Sequence, residues 1–176
     1  ERMHFLYFGL LCFTFIFSYS NNYLSSDYTD TLILEKTVRT AFPLSNAFGL
    51  AFLLEYTNVT RWNKLFVLIA MAFYGAASLV PLFAENLEIL RGISSFFIIP
   101  VSAAGNISGI IICIIYYIVQ RNSISLSFLL MTVFGLCITG HDIYYFAGAG
   151  TKPYVMLVPI YTFFYILFIF FLLAKE

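Results

Sequence analysis

The sequence predicts an all-α fold, a polytopic transmembrane bundle of six helices forming one domain over residues 1–176. Three observations predict it. Apolar runs fill almost the whole chain, at roughly residues 5–24, 32–55, 65–84, 92–119, 124–147 and 153–174. A helix rising about 1.5 Å per residue crosses the hydrocarbon core with about 20 apolar residues, and it satisfies its own backbone polar groups where no water can. The composition, 61% hydrophobic and 10% charged, lies far outside that of soluble domains. The connectors between runs are too short to hold a soluble domain.

The first run, within "HFLYFGLLCFTFIFSYSNNYL", is too aromatic and too long for a signal peptide and lacks a cleavage pattern. With Glu rather than Met at residue 1, the chain is expected to begin inside a larger polypeptide. The second run is the least hydrophobic, carrying Glu35, Lys36 and Arg39, and Pro43 is expected to kink it by removing a backbone donor. Small residues cluster in the third run at Gly75, Ala76, Ala77 and Ser78. The fourth holds Ala103, Ala104, Gly105, Ser108 and Gly109, with Asn106 near its middle and Pro100 as a second expected kink. Small faces let helices approach closely in lipid. The Gly105–Gly109 spacing therefore reads as contact within the bundle before it reads as a dimer motif. A homodimer is compatible with this pattern, which does not establish one. The fifth run carries His141 and Asp142 near its end, and the sixth carries Pro159, a third expected kink. Pro43 and Pro100 are the hinge candidates. No internal repeat is evident, so the usual sequence pointer to an inverted-repeat transporter is missing.

Zero net charge suggests neither nucleic acid nor an acidic partner. The 21 Phe and 13 Tyr suit lipid contact and the two interfaces. Cys12, Cys113 and Cys137 all fall within apolar runs without metal-ligand spacing and are read as structural. A metal hydrolase needs about three protein ligands, and only His4 and His141 offer imidazoles. No nucleophile elbow, phosphate-binding loop or Arg-rich voltage sensor is present. Neither a catalytic residue nor a cofactor or metal is expected.

Lys and Arg in short loops collect on the cytoplasmic side. Arg2, Arg61, Lys64, Arg121 and Lys175 fall at one set of ends, and Arg91 and Lys152 at the other. Both termini are expected in the cytoplasm, with the chain multi-pass in an inner or plasma membrane. The sequon Asn58-Val59-Thr60 then falls on the cytoplasmic side.

Ionisable side chains within a span are costly, so each needs an explanation. Glu35 and Arg39 are four residues apart, share a helix face and can pair. They lie about 6 to 12 Å into the membrane by the helical rise. The antiparallel crossing puts His141 and Asp142 at similar depth. Glu35, Arg39, His141 and Asp142 are therefore expected to form a polar cluster open to the outer side, with Lys36 snorkelling away. Structurally, Arg39 and Asp142 would neutralise each other and pin two helices together. Functionally, the cluster would bind a small ligand or sense protons through His141. An ion-pair latch would also serve as a two-state element. Asn106 joins the four as a ligand or switch candidate.

The chain resembles the membrane domain of bacterial seven-transmembrane receptors with diverse intracellular signalling modules. "ERMHFLYFGLLCFTFIFSYSNNYL" looks like that family's entry into its second helix, and "KTVRTAFPLSNAFGLAFLLEYTN" is similar to its third. The likeness is sharpest where "LLMTVFGLCITGHDIYYFAGAG" and "YVMLVPIYTFFYILFIFFLLAKE" resemble its sixth and seventh helices. Asp142 with Ile143, Tyr144 and Tyr145 matches the Asp and aromatic residues at the outer end of that sixth helix. The chain departs from the pattern in having six spans. The resemblance implies that the first helix lies upstream of Glu1. It also implies an extracytoplasmic ligand and a covalently linked cytoplasmic output module such as a kinase, cyclase or phosphatase, neither identified by these residues. The expected function is transmembrane signal transduction with the bilayer as constant partner. A small-solute or ion transporter or channel subunit is the alternative, and a membrane enzyme comes third.

Overall fold

The computed structural model describes residues 3–19, 30–146 and 157–174, with no side chain described at 143–146. Among these residues helices are the only regular secondary structure, without a strand. The helices are α1 (Met3–Ser18), α2 (Thr31–Thr57), α3 (Asn63–Leu79), α4 (Leu87–Ile93), α5 (Ile99–Gln120), α6 (Ser123–Phe146) and α7 (Val158–Leu173). A 3₁₀ turn, Val80–Phe83, ends α3, and a π-turn, Ser94–Ile98, joins α4 to α5 as one rod.

Three helical stretches are long and apolar enough to cross a membrane: Asn63–Phe83, Leu87–Gln120 and Ser123–Asp142. The described parts of α1 and α7 are apolar but shorter. The rod Leu87–Gln120 has 34 residues, about 51 Å of helix, which exceeds the roughly 30 Å hydrocarbon core. Its charged beginning, with Glu88 and Arg91 in α4, is suited to the polar headgroup region. The outward faces also read as lipid-facing. Phe96, Leu68, Ile111, Phe134 and Phe163 are all exposed, as a soluble domain would not tolerate. Several hydroxyls inside the helices bond backward to their own carbonyls, as Thr14 to Leu11, Thr57 to Leu53, Ser94 to Leu90 and Thr132 to Phe128. Such bonds leave no polar hydrogen facing hydrocarbon. The protein is a membrane protein by these criteria.

The chain divides into two compact units, Glu1–Ile112 and Cys113–Glu176, with the boundary inside α5. In the first unit α2 is the central helix. Phe8 of α1 packs on Phe52 of α2, and Tyr19 near the other end of α1 meets Phe42, so the two run antiparallel. Ala47 and Leu50 of α2 pack with Ala70, Tyr74 and Ala77 of α3 and Val101 of α5. Ala51 and Leu54 pack on Val67. Alanine at the crossing lets the backbones approach, as small residues do in lipid. Gly105 of α5 carries this furthest, because a Cβ built there would lie 2.8 Å from Asn46 Cγ on α2. The Gly105–Gly109 spacing thus serves contact within the unit, with Gly109 facing Leu53 and Leu50 of α2. Gly75 differs: nothing lies within 4 Å of the Cβ it lacks. Gly75→Ala is expected to stabilise the protein by about 0.5–1 kcal/mol through helix propensity alone, measured by unfolding in mild-detergent micelles.

In the second unit α6 and α7 form an antiparallel pair. Phe128 is fully buried against Tyr116 and Phe168. The Tyr161 hydroxyl donates to the Met131 carbonyl at 2.7 Å, with its ring over Gly135. Cys113 is buried and within 3.4 Å of the Thr132 hydroxyl, while Cys12 is half-buried and Cys137 exposed. A reciprocal cap opens α6. Asn122 Oδ1 accepts from Ser125 N–H at 2.8 Å, and Ser125 Oγ accepts from Asn122 N–H at 3.2 Å.

Of the three prolines, Pro159 departs from expectation. Pro43 is buried inside an uninterrupted α2. Pro100 stands inside the continuous helical stretch Leu87–Gln120, at the junction of the π-turn and α5. A π-turn shifts the hydrogen-bond register and absorbs the donor that proline lacks. Pro159 does not kink a span at all, because α7 starts at Val158 and the proline falls in its first turn. There the missing N–H would have had no helical partner anyway. Residues 20–29 and 147–156, which include parts of the first, fifth and sixth expected spans, lie outside the described residues, as do Arg2, Lys152 and Lys175.

Candidate functional polar sites within the helices

Charge enters the first unit at the beginning of α2. Asp30 caps that helix, its Oδ1 accepting from the N–H groups of Leu32 at 2.8 Å and Ile33 at 3.1 Å. One turn on, Arg39 donates to Glu35 Oε2 at 3.2 Å, across the four-residue spacing that the sequence suggested. Both side chains are mostly covered, at 17% and 26% exposed, so the pair holds two charges that would otherwise be costly in an apolar setting.

Lys36 does not simply snorkel away. Its Nζ donates to the carbonyl of Leu82 at 3.1 Å, in the 3₁₀ turn that ends α3. The last carbonyls of a helix lack intrahelical donors and carry the negative end of its dipole. A lysine from α2 therefore closes the end of α3. Pro81 inside that turn is a sequence signal for the stop, but nothing in the sequence says which cation would meet it.

His141 and Asp142 stand together in the second unit. Asp142 is buried, and both carboxylate oxygens are engaged. Oδ2 accepts from Val158 N–H at 2.8 Å, and Oδ1 accepts from Leu157 N–H at 3.2 Å and lies 2.9 Å from His141 Nδ1. Leu157, at the N-cap position of α7, provides no side-chain acceptor. Asp142, fifteen residues earlier in the chain, supplies the missing cap. A carboxylate is the right group for the task, since it meets unsatisfied N–H donors at the positive end of the helix. The side chains of Ile143, Tyr144 and Tyr145 lie outside the description.

Of the residues singled out from the sequence, the structure brings together Glu35 with Arg39 and His141 with Asp142, each pair inside its own unit. Within its own unit the Asp142 carboxylate caps α7, and within the other Arg39 bonds to Glu35, as the four-residue spacing suggests. Asn106 is exposed on α5 beside Gly105. Comparison with known protein families, characterised proteins and solved structures finds no match to this chain.

Proposed function

We propose that this chain is the transmembrane sensory and coupling domain of a bacterial inner-membrane receptor, a six-span bundle with both ends in the cytoplasm. The observation that carries the proposal is the Asp142 cap on α7. A single buried carboxylate governs the start of the last helix, and that helix leads toward the C-terminal side of the chain. With Arg121, at the other end of α6, on the cytoplasmic side as the basic-residue bias predicts, this cap would lie near the outer surface. An extracytoplasmic signal that strengthened or broke the cap would shift the balance between two packings of α6 and α7. The segment beyond Glu176 would carry the shift to a cytoplasmic output module. The resemblance to seven-transmembrane signalling receptors in "HDIYYF" agrees with this reading.

The transporter alternative rests on the same intramembrane charges. Glu35, Lys36, Arg39 and Asp142 each have a partner close by, which suits structural or switching roles better than a conduction path.

Intact mass and terminal peptide mapping of the native polypeptide test the proposal. One further span upstream and a cytoplasmic catalytic domain downstream are the expected result. A native chain bounded by Glu1 and Glu176, together with ion or solute flux in proteoliposomes, would overturn it in favour of transport.

A further inference from the structure

The turn between α2 and α3 carries two cations and the only tryptophan of the chain. α2 ends at Asn58, whose backbone is left-handed (φ 45°) and whose Oδ1 accepts from Asn63 Nδ2 at 2.8 Å. Thr60 then accepts twice, through Oγ1 from Trp62 N–H and through its carbonyl from Asn63 N–H, both at 3.2 Å. These bonds fix the turn and leave Arg61, Trp62 and Lys64 on its outside, all exposed. The Arg61 guanidinium lies over the Trp62 ring, 5.3 Å from its centre. Together they line a shallow, open stretch of surface. Among the described residues neither Arg61 nor Lys64 has a carboxylate partner. The nearest acid in sequence, Glu55, lies back inside α2. Below the turn, on α3, Leu65, Phe66 and Leu68 are exposed and apolar.

From this arrangement we infer that the Asn58–Lys64 turn is a binding site for an anionic phospholipid. The chemistry matches the ligand at each level. A guanidinium poised over a ring face has N–H groups to spare and fits a phosphate with paired hydrogen bonds. Lys64 adds a second positive charge three residues on. The Trp62 ring belongs at headgroup depth, with an apolar body and a polar N–H. The exposed apolar stripe of α3 offers acyl chains a surface directly beneath. A basic residue near an anionic bilayer raises local lipid occupancy roughly fivefold. The inference rests on the membrane placement of α3 and is independent of the receptor proposal.

Because Trp62 is the sole tryptophan, its fluorescence reports this turn alone when excited beyond tyrosine absorption. The protein is placed in phosphatidylcholine vesicles containing a minor fraction of brominated lipid, either phosphatidylglycerol or phosphatidylcholine. Quenching by the brominated phosphatidylglycerol should exceed that by the same fraction of brominated phosphatidylcholine several-fold. Arg61→Gln with Lys64→Gln should remove the excess. Inorganic phosphate in the buffer should leave it intact. Equal quenching by the two lipids would overturn the site while leaving the membrane placement standing. An excess abolished by phosphate would mean that a soluble anion is the ligand. No quenching even in fully brominated phosphatidylcholine would overturn the membrane placement of the turn, and the site with it.

Discussion

Asp142→Ala is expected to open the first turn of α7 and to destabilise the second unit by about 2–3 kcal/mol. The substitution strips the acceptor from two backbone N–H groups at 157 and 158. An unsatisfied buried donor costs about 1–3 kcal/mol, and loss of a helix cap typically about 1. Asp142→Asn keeps one acceptor oxygen but loses the charge that favours the helix N-terminus, so about 1 kcal/mol is expected. Asp142→Arg should be the most damaging, because it sets a cation against the positive end of α7. Hydrogen exchange read by mass spectrometry on peptides covering residues 157–165 checks the effect where it occurs. Exchange should rise in the order Asn, Ala, Arg. A wild-type rate in Asp142→Ala would mean that the cap does not hold α7.

Gly105→Ala should cost about 2 kcal/mol, from overpacking at a crossing that cannot open without moving α2. The added Cβ would lie 2.8 Å from Cγ and 3.0 Å from Cβ of Asn46, close to the root of that side chain, where rotation gives little relief. Gly109→Ala on the same helix is the internal control. Its new Cβ would meet only Leu53 Cδ1 at 3.6 Å and Leu50 Cδ2 at 4.0 Å, which is ordinary contact. Unfolding of the three proteins in the same micelles should rank Gly105→Ala well below the other two. Adding Asn46→Ala to Gly105→Ala should recover part of the loss. If the two glycine variants were equally stable, the close approach of α5 to α2 at Asn46 would be wrong.

Much of the polar architecture could be anticipated where it is local. The Glu35–Arg39 pair follows from a four-residue spacing on one helix. The end of α2 is less obvious, since Asn58 rather than glycine takes the left-handed position. Counting apolar residues misplaces Pro159, because a hydrophobic run does not reveal where within it a helix begins. The π-turn before Pro100 had no signal beyond the proline itself. Lys36 and Asp142 stand out as anomalous in an apolar setting, yet the sequence does not name their partners. Leu82 is 46 residues from Lys36, and Val158 is 16 from Asp142. Both partners are backbone groups, which leave no mark in the side-chain sequence.

By itself the sequence determined that the chain is helical, that several segments are apolar enough for a bilayer, and which few charges need an explanation. Those properties belong to contiguous residues, since helix formation and transfer into hydrocarbon are set by composition within about 20 positions. Only the tertiary structure decided that Asp142 caps α7, that Lys36 closes α3 and that Gly105 admits Asn46. Each of these joins a side chain to a group on another helix. Such a contact depends on how the helices turn and approach one another, and no local pattern encodes that.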